Sequence, residues 1–136
     1  MGGIPDVPPV RGGPLDEFWV AAEEGKLRLP RCPICREWSW YPPPTCGTDG
    51  VPPVWEEVPL TGTIFSFTVV HRSFLPPGTV EVPYTVALVE LDGVPGPRLV
   101  GDVRTPEPVR IGDRVVVAFE RLATHGLPVF DVVPAD

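Results

Sequence analysis

The residues best equipped for chemistry in this sequence are its three cysteines, Cys32, Cys35 and Cys46, all between positions 32 and 46. A Cys-x-x-Cys spacing on a tight turn aims two thiolates at one ion, and Cys46 adds a third from a second turn after WSWYPPP. A four-coordinate structural zinc needs one more ligand. A second Cys-x-x-Cys would put it at position 49, where the sequence has Asp49 in CGTDG. Carboxylate oxygen binds zinc at about 2.0–2.2 Å, so three thiolates plus Asp49 make a complete ligand set, with the harder oxygen as its weakest member. Two other readings stand beside the zinc site. One is a degenerate knuckle without metal; the other is a redox-active Cys32/Cys35 pair, which lacks the surrounding βαβ pattern. An iron centre of rubredoxin type wants four thiolates. Three closely grouped cysteines also fit poorly with a secreted disulfide framework.

Outside this cluster the catalytic equipment is sparse. No nucleophile elbow or phosphate-cradling loop is written in the chain, and His71 and His125 are isolated. Glu56 and Glu57 are adjacent and point to opposite faces if extended. Arg98, Arg104, Arg110, Arg114 and Arg121 lie in one stretch, where they either converge on phosphates or serve as solvated strand-face charges. The expectation is a non-catalytic protein. Its 18 acidic and 11 basic residues give a net charge of -7 with no basic segment, which argues against nucleic acid as a partner. No apolar run approaches the roughly 20 residues that span a bilayer, and the start lacks a signal-peptide layout, so a soluble, cytoplasmic protein is expected.

The elements that must position the cysteines follow from composition and period. With 21 Pro and 14 Gly in 136 residues, about 26%, long helices are excluded and a β-rich fold is expected. Residues 1–13 show no hydrophobic period and read as a flexible arm or linker. Residues 14–26 read as one amphipathic helix: Leu15, Phe18, Trp19 and Ala22 recur at helical spacing, Asp16 and Glu17 suit its first turn, and Gly25 its end. Phe18 and Trp19 pack on the body or face a partner. Residues 27–55 form the cysteine-bearing ribbon, with almost no aliphatic core of its own. Residues 56–136 hold five β-prone runs, near 60–70, 84–91, 98–104, 114–121 and 127–133. Phe65, Phe67 and Val69 are expected on one inward face, as are Val115, Val117 and Phe119. A mainly β fold results, with a five-stranded Greek-key barrel of OB type, because closure hides sheet edges. The loop HRSFLPPGTVEVP presents Phe74 and Leu75 on a Pro-stiffened connection, which makes Phe18, Trp19, His71, Phe74 and Leu75 the candidate partner-interface residues.

The order of these parts is recognisable. The helix with FW, the knuckle CPIC…YPPP…C, the junction PLTGTIFSFTVVHRSF, the strand PYTVALVELDG, and then LVGDV, IGDRVVVAFE and GLPVFDVVP together resemble the acyl-CoA-associated family that joins a rubredoxin-like zinc ribbon to an OB-fold. The similarity runs from about Pro14 to Pro134. Asp49 departs from the family pattern, which most often has a fourth cysteine there. Within the family the chain is similar to the C-terminal domain of a steroid side-chain enoyl-CoA hydratase subunit. The resemblance implies a structural zinc held by Cys32, Cys35, Cys46 and Asp49, and an accessory role beside a thiolase-like, lipid-transfer-type partner. That partner would be a retro-aldolase acting on a steroid acyl-CoA. It also implies a MaoC-type hydratase domain upstream in some members, with residues 1–13 as the joint. A different class of function, a free-standing acyl-CoA-binding module, stays open; a single-stranded nucleic-acid-binding OB-fold is disfavoured by the charge.

Overall fold

The computed structural model describes residue 9, residues 12–105 and residues 108–134; most of the expected arm at 1–13 lies outside the described residues. Among the described residues one helix, α1 (Asp16–Glu23), is followed by seven strands. The helix is shorter than the expected 14–26. Its first turn carries Asp16 and Glu17, and its N-cap residue Leu15 makes no side-chain cap. Instead the Asp16 carboxylate accepts the Gly12 N–H at 2.9 Å, folding the preceding chain against the helix start. At the other end Lys26 N–H donates to Ala21 O at 2.9 Å and Gly25 N–H to Ala22 O at 3.1 Å. Gly25 sits at φ +76°, so the helix ends in a Schellman turn at the glycine that marks its end in the sequence.

Strands β1 (Leu27–Arg31) and β2 (Val54–Val58) pair antiparallel, with Leu27 opposite Val58 and Arg31 opposite Val54. They flank the cysteine-bearing segment. Strands β3 (Thr61–Val70), β4 (Tyr84–Leu91), β5 (Leu99–Val103), β6 (Arg114–Arg121) and β7 (Gly126–Val132) close into a barrel of order β3-β4-β5-β7-β6. All pairs are antiparallel except β5 with β7, which closes the barrel through Val103 and Phe130. The five runs seen in the sequence are these five strands, within two residues at each end.

The barrel interior holds Ile64, Val89, Val115, Val117 and Phe130, each buried. Leu27 and Leu29 of β1 are equally buried and belong to the same apolar cluster, as does Phe18 of α1. The ribbon segment therefore does not stand without a core, as its composition suggests; its first strand lends two leucines to the barrel's. Helix α1 lies across β1 and β7 so closely that a Cβ on Gly126 would stand 2.9 Å from Ala22 O.

One expectation about the barrel fails. Phe65, Phe67 and Val69 do not form an inward face: all three are exposed, and Ile64 is the last buried residue of β3. The pairing with β4 shifts between Ile64 and Ser66, a bulge at Phe65 that interrupts the alternation. Beyond it β3 has lost β6, whose register covers only Thr61–Thr63, so among the described residues no strand on that side encloses Phe67 or Val69. The Arg98 guanidinium instead lies 3.6 Å from the Phe65 ring centroid, a cation–π contact on the outer surface. The companion expectation for β6 holds, with Val115 and Val117 buried and Phe119 half-buried against the core.

Candidate functional site

The cysteine segment folds as two knuckles with the same backbone. In the first, Cys32 N–H donates to Glu37 O at 2.9 Å, Arg36 N–H donates to Cys32 O at 3.0 Å, and Arg36 adopts φ +66°. In the second, Cys46 N–H donates to Val51 O at 2.7 Å, Gly50 N–H to Cys46 O at 2.8 Å, and Gly50 adopts φ +69°. Asp49 is thus the counterpart of Cys35, and Gly50 that of Arg36. A left-handed conformation suits glycine and strains arginine, and the first knuckle holds its arginine with added contacts. Arg31 Nε donates to Arg36 O at 2.7 Å, while Arg36 and Arg31 reach Glu56 of β2 at 3.1 and 3.5 Å.

These turns bring together the four donors that the spacing singles out. The ligand atoms of Cys32, Cys35, Cys46 and Asp49 all lie within 4.8 Å of one another. Cys35 Sγ and Cys46 Sγ are 3.8 Å apart, and Asp49 Oδ2 lies 3.4 Å from Cys32 Sγ and 3.6 Å from Cys46 Sγ. Zinc–sulfur bonds of about 2.3 Å and zinc–oxygen bonds of about 2.0–2.2 Å in a tetrahedron require sulfur pairs about 3.8 Å and sulfur–oxygen pairs about 3.5 Å apart. These three separations match edges of that tetrahedron, and the remaining pairs lie within 4.8 Å. They do not match a disulfide, whose sulfurs sit about 2.05 Å apart, and all three thiols are free.

The local field makes the same case. For Cys32, burial is the largest single influence and opposes ionisation, but the backbone N–H groups of Cys35 and Ile34 and the Cys35 and Cys46 side chains together outweigh it, and the thiol pKa is lowered. For Cys35, the Glu37 N–H favours the thiolate, yet desolvation and the neighbouring Cys32, Asp49 and Cys46 side chains push the thiol up to about 12. Four acids packed this closely ionise together only around a cation. The donor set therefore fits a structural zinc, which supplies cross-linking of the two knuckles.

The other sequence-predicted residues are dispersed. Of the two readings open for Phe18, packing on the body describes its place in the fold: it is buried, edge-on to Trp19 at 5.1 Å between ring centroids and 4.9 Å from Trp40. Trp19 is half-buried and meets His125 edge-to-face at 5.3 Å. His71, Phe74 and Leu75 lie in the β3–β4 loop, all exposed, with Phe74 at 90%. Glu56 binds the two arginines on one side of β2, while Glu57 meets Lys26 at 3.9 Å on the other. The arginines do not converge. Arg104 forks onto Asp131 at 2.7 Å and meets Glu120 at 3.4 Å, Arg114 binds Asp92 at 2.6 Å, and Arg98 covers Phe65.

Two features escape the sequence reading. His125, taken as an isolated loop histidine, is 2% exposed, with its Nδ1 2.8 Å from the Thr124 hydroxyl. It helps line a cleft of about 490 Å³ at the junction of helix, ribbon and barrel, together with Trp19, Trp40, Tyr41, Tyr84 and Asp102. Burial pushes the Asp102 carboxyl above its ordinary pKa. An aspartate inside the apolar strand LVGDV was the available signal.

Comparison with known proteins agrees with this architecture. Residues 19–53 match the ChsH2 rubredoxin-like zinc ribbon domain and residues 55–120 the ChsH2 C-terminal OB-fold domain. The chain is 35% identical over 103 residues to the 3-oxo-4,17-pregnadiene-20-carboxyl-CoA hydratase alpha subunit of Mycobacterium tuberculosis, covering 69% of this chain and 29% of that protein. It is 36% identical over 119 residues to a probable enoyl-CoA hydratase alpha subunit of Thermomonospora curvata, covering 83% of this chain and 36% of that protein. The chain thus spans about a third of the length of these relatives. Among solved structures it is similar to a chain of the Ltp2-ChsH2(DUF35) aldolase, with TM-score 0.78 and 31% identity, covering 91% of this chain and 98% of that one. A DUF35 protein of unknown function from Sulfolobus solfataricus shares the fold at TM-score 0.63 and 16% identity, covering 90% of this chain and 87% of that one. Two knuckles with matching hydrogen bonds, a tetrahedral donor set and a five-stranded barrel, in the order these relatives share, place the chain in the ChsH2 family of rubredoxin-like zinc ribbons joined to an OB-fold.

Proposed function

We propose that this chain is a non-catalytic accessory subunit that binds and stabilises a thiolase-fold, lipid-transfer-type partner acting on acyl-CoA. Its partner's reaction, in this reading, is a retro-aldol cleavage in bacterial steroid side-chain degradation, carried out in the cytoplasm. The observation that carries the reading is the 31% identity across 98% of a chain of the Ltp2-ChsH2(DUF35) aldolase. The names of the two hydratase alpha subunits support the acyl-CoA class and are consistent with a MaoC-type hydratase domain upstream of the chain. Within the chain, residues 27–55 serve as the zinc-pinned ribbon and 56–136 as the barrel that carries the docking loop. Trp19, His71, Phe74 and Leu75 are the residues offered to the partner. An exposed phenylalanine on a Pro-rich loop buries against another protein at low entropic cost.

A second reading, a free-standing acyl-CoA-binding module, has the apolar cleft in its favour. The paired arginines weigh against it, because Arg104 and Arg114 are already neutralised by carboxylates and offer little to the phosphates of coenzyme A. Co-expression with a thiolase-fold partner separates the two. The accessory reading expects the partner's solubility or activity to rise while the purified chain shows negligible affinity for acyl-CoA. Tight thioester binding or turnover by the chain alone overturns it.

A further inference from the structure

We propose that the cleft between α1, the ribbon and the barrel is a binding site for an organic ammonium group, with Asp102 as counter-ion and the rings of Trp19, Trp40, Tyr41 and Tyr84 as walls. Asp102 is half-buried on β5. Among the described residues no hydrogen bond or ion pair reaches its carboxylate. The arginines that flank β5 are committed elsewhere. Arg98 lies on Phe65 and reaches Glu90, and Arg104 is forked onto Asp131 with Glu120 beside it. Among the described residues, then, no arginine or lysine pairs with Asp102; its carboxylate keeps partial solvent contact, and His125 is the other titratable side chain of the cleft.

The walls choose among ligands. Indole and phenol faces attract cations, and their edges and bodies shelter an apolar group. A neutral apolar ligand would bury Asp102 without a partner. An anion would face both that carboxylate and the field of a protein with net charge -7. A primary or methylated ammonium on an aryl or alkyl body satisfies carboxylate and rings together. The cleft's 490 Å³ lies within the roughly 300–1,000 Å³ of small-molecule sites.

The test compares three probes of one shape on the zinc-loaded full chain: 3-phenylpropylammonium, 3-phenylpropanol and 3-phenylpropanoate. Calorimetry gives affinity, and amide and indole NMR shifts locate binding. The ammonium is expected to bind at least about tenfold more tightly than the alcohol, to shift Gly101, Asp102 and the Trp19 and Trp40 indoles, and to lose that preference in Asp102→Asn. The carboxylate is expected not to bind. If the ammonium fails to bind, if the alcohol matches it on the unaltered chain, or if Asp102→Asn retains the preference, the proposal is wrong. The wild-type comparison decides even where the variant folds poorly. None of these outcomes depends on a thiolase-fold partner.

Discussion

Asp49 stands in the second knuckle where Cys35 stands in the first, presenting an oxygen at the corner of the tetrahedron where a repeat of the first turn would present sulfur. The backbones of the two turns are the same, so the exchange of ligand is a matter of one side chain. It leaves a closed site with three soft donors and one hard donor.

Restoring the fourth thiolate strengthens the site. Asp49→Cys is expected to raise zinc affinity by about tenfold or more, because thiolate is the softer and better match to zinc. Competition with a chromophoric chelator measures it. Equal affinity of the two proteins contradicts the assignment of Asp49 as a ligand.

Stripping the metal should unfold part of the molecule and spare the rest. Structural zinc supplies apparent binding energies of about 10 kcal/mol or more in small zinc modules. Chelation, or Cys46→Ser, is therefore expected to abolish amide protection across residues 32–53. The barrel and β1 are expected to persist, since Leu27 and Leu29 are anchored in the common core. Hydrogen exchange followed by mass spectrometry reads both regions in one experiment.

The seat of α1 on β7 depends on a missing side chain. Gly126→Ala places a Cβ against Ala22 O at 2.9 Å, with backbone on the other side of the contact. Overpacking of this kind costs about 1–3 kcal/mol. Urea unfolding should show a lower midpoint at unchanged slope.

Acid stability has an identifiable contributor. The Asp92 carboxyl is held well below the usual carboxylate range, first by hydrogen bonds from Arg114 and Thr61. A carboxyl depressed on folding contributes stability that is fully present above its unfolded pKa of about 3.9 and is lost as pH falls toward the folded value. Wild type should therefore lose stability below about pH 4 more steeply than Asp92→Asn, and the two curves should converge in acid. Parallel curves would exclude Asp92 as a contributor. The effect is small, because the pair is solvent-exposed and screened.

Phe74 separates docking from folding. At 90% exposure it contributes nothing to the core, so Phe74→Ala should change stability by less than about 0.5 kcal/mol. Its co-purification with a thiolase-fold partner should nevertheless fall. A loss of stability matching the loss of binding would assign Phe74 a structural role instead.

The knuckles and the barrel strands were legible in the amino-acid order because their causes are local. Cys-x-x-Cys and Cys-x-x-Asp each need only one turn, and the runs at 84–91 and 114–121 carry their own period and are bounded by Pro and Gly. Tertiary structure alone decided what depends on distant neighbours. Phe65 and Phe67 alternate like core residues, yet β6 pairs with only the first three residues of β3, so among the described residues no strand of the barrel encloses them on that side. Phe18 and His125 owe their burial to elements far away in the chain, Trp40 and α1 respectively. Arg104, just after β5, and Arg114 of β6 found carboxylates across the sheet, whereas among the described residues Asp102 found no arginine. Spacing along a chain specifies turns and periods, whereas burial and charge pairing are properties of three-dimensional proximity, which closure of the barrel creates.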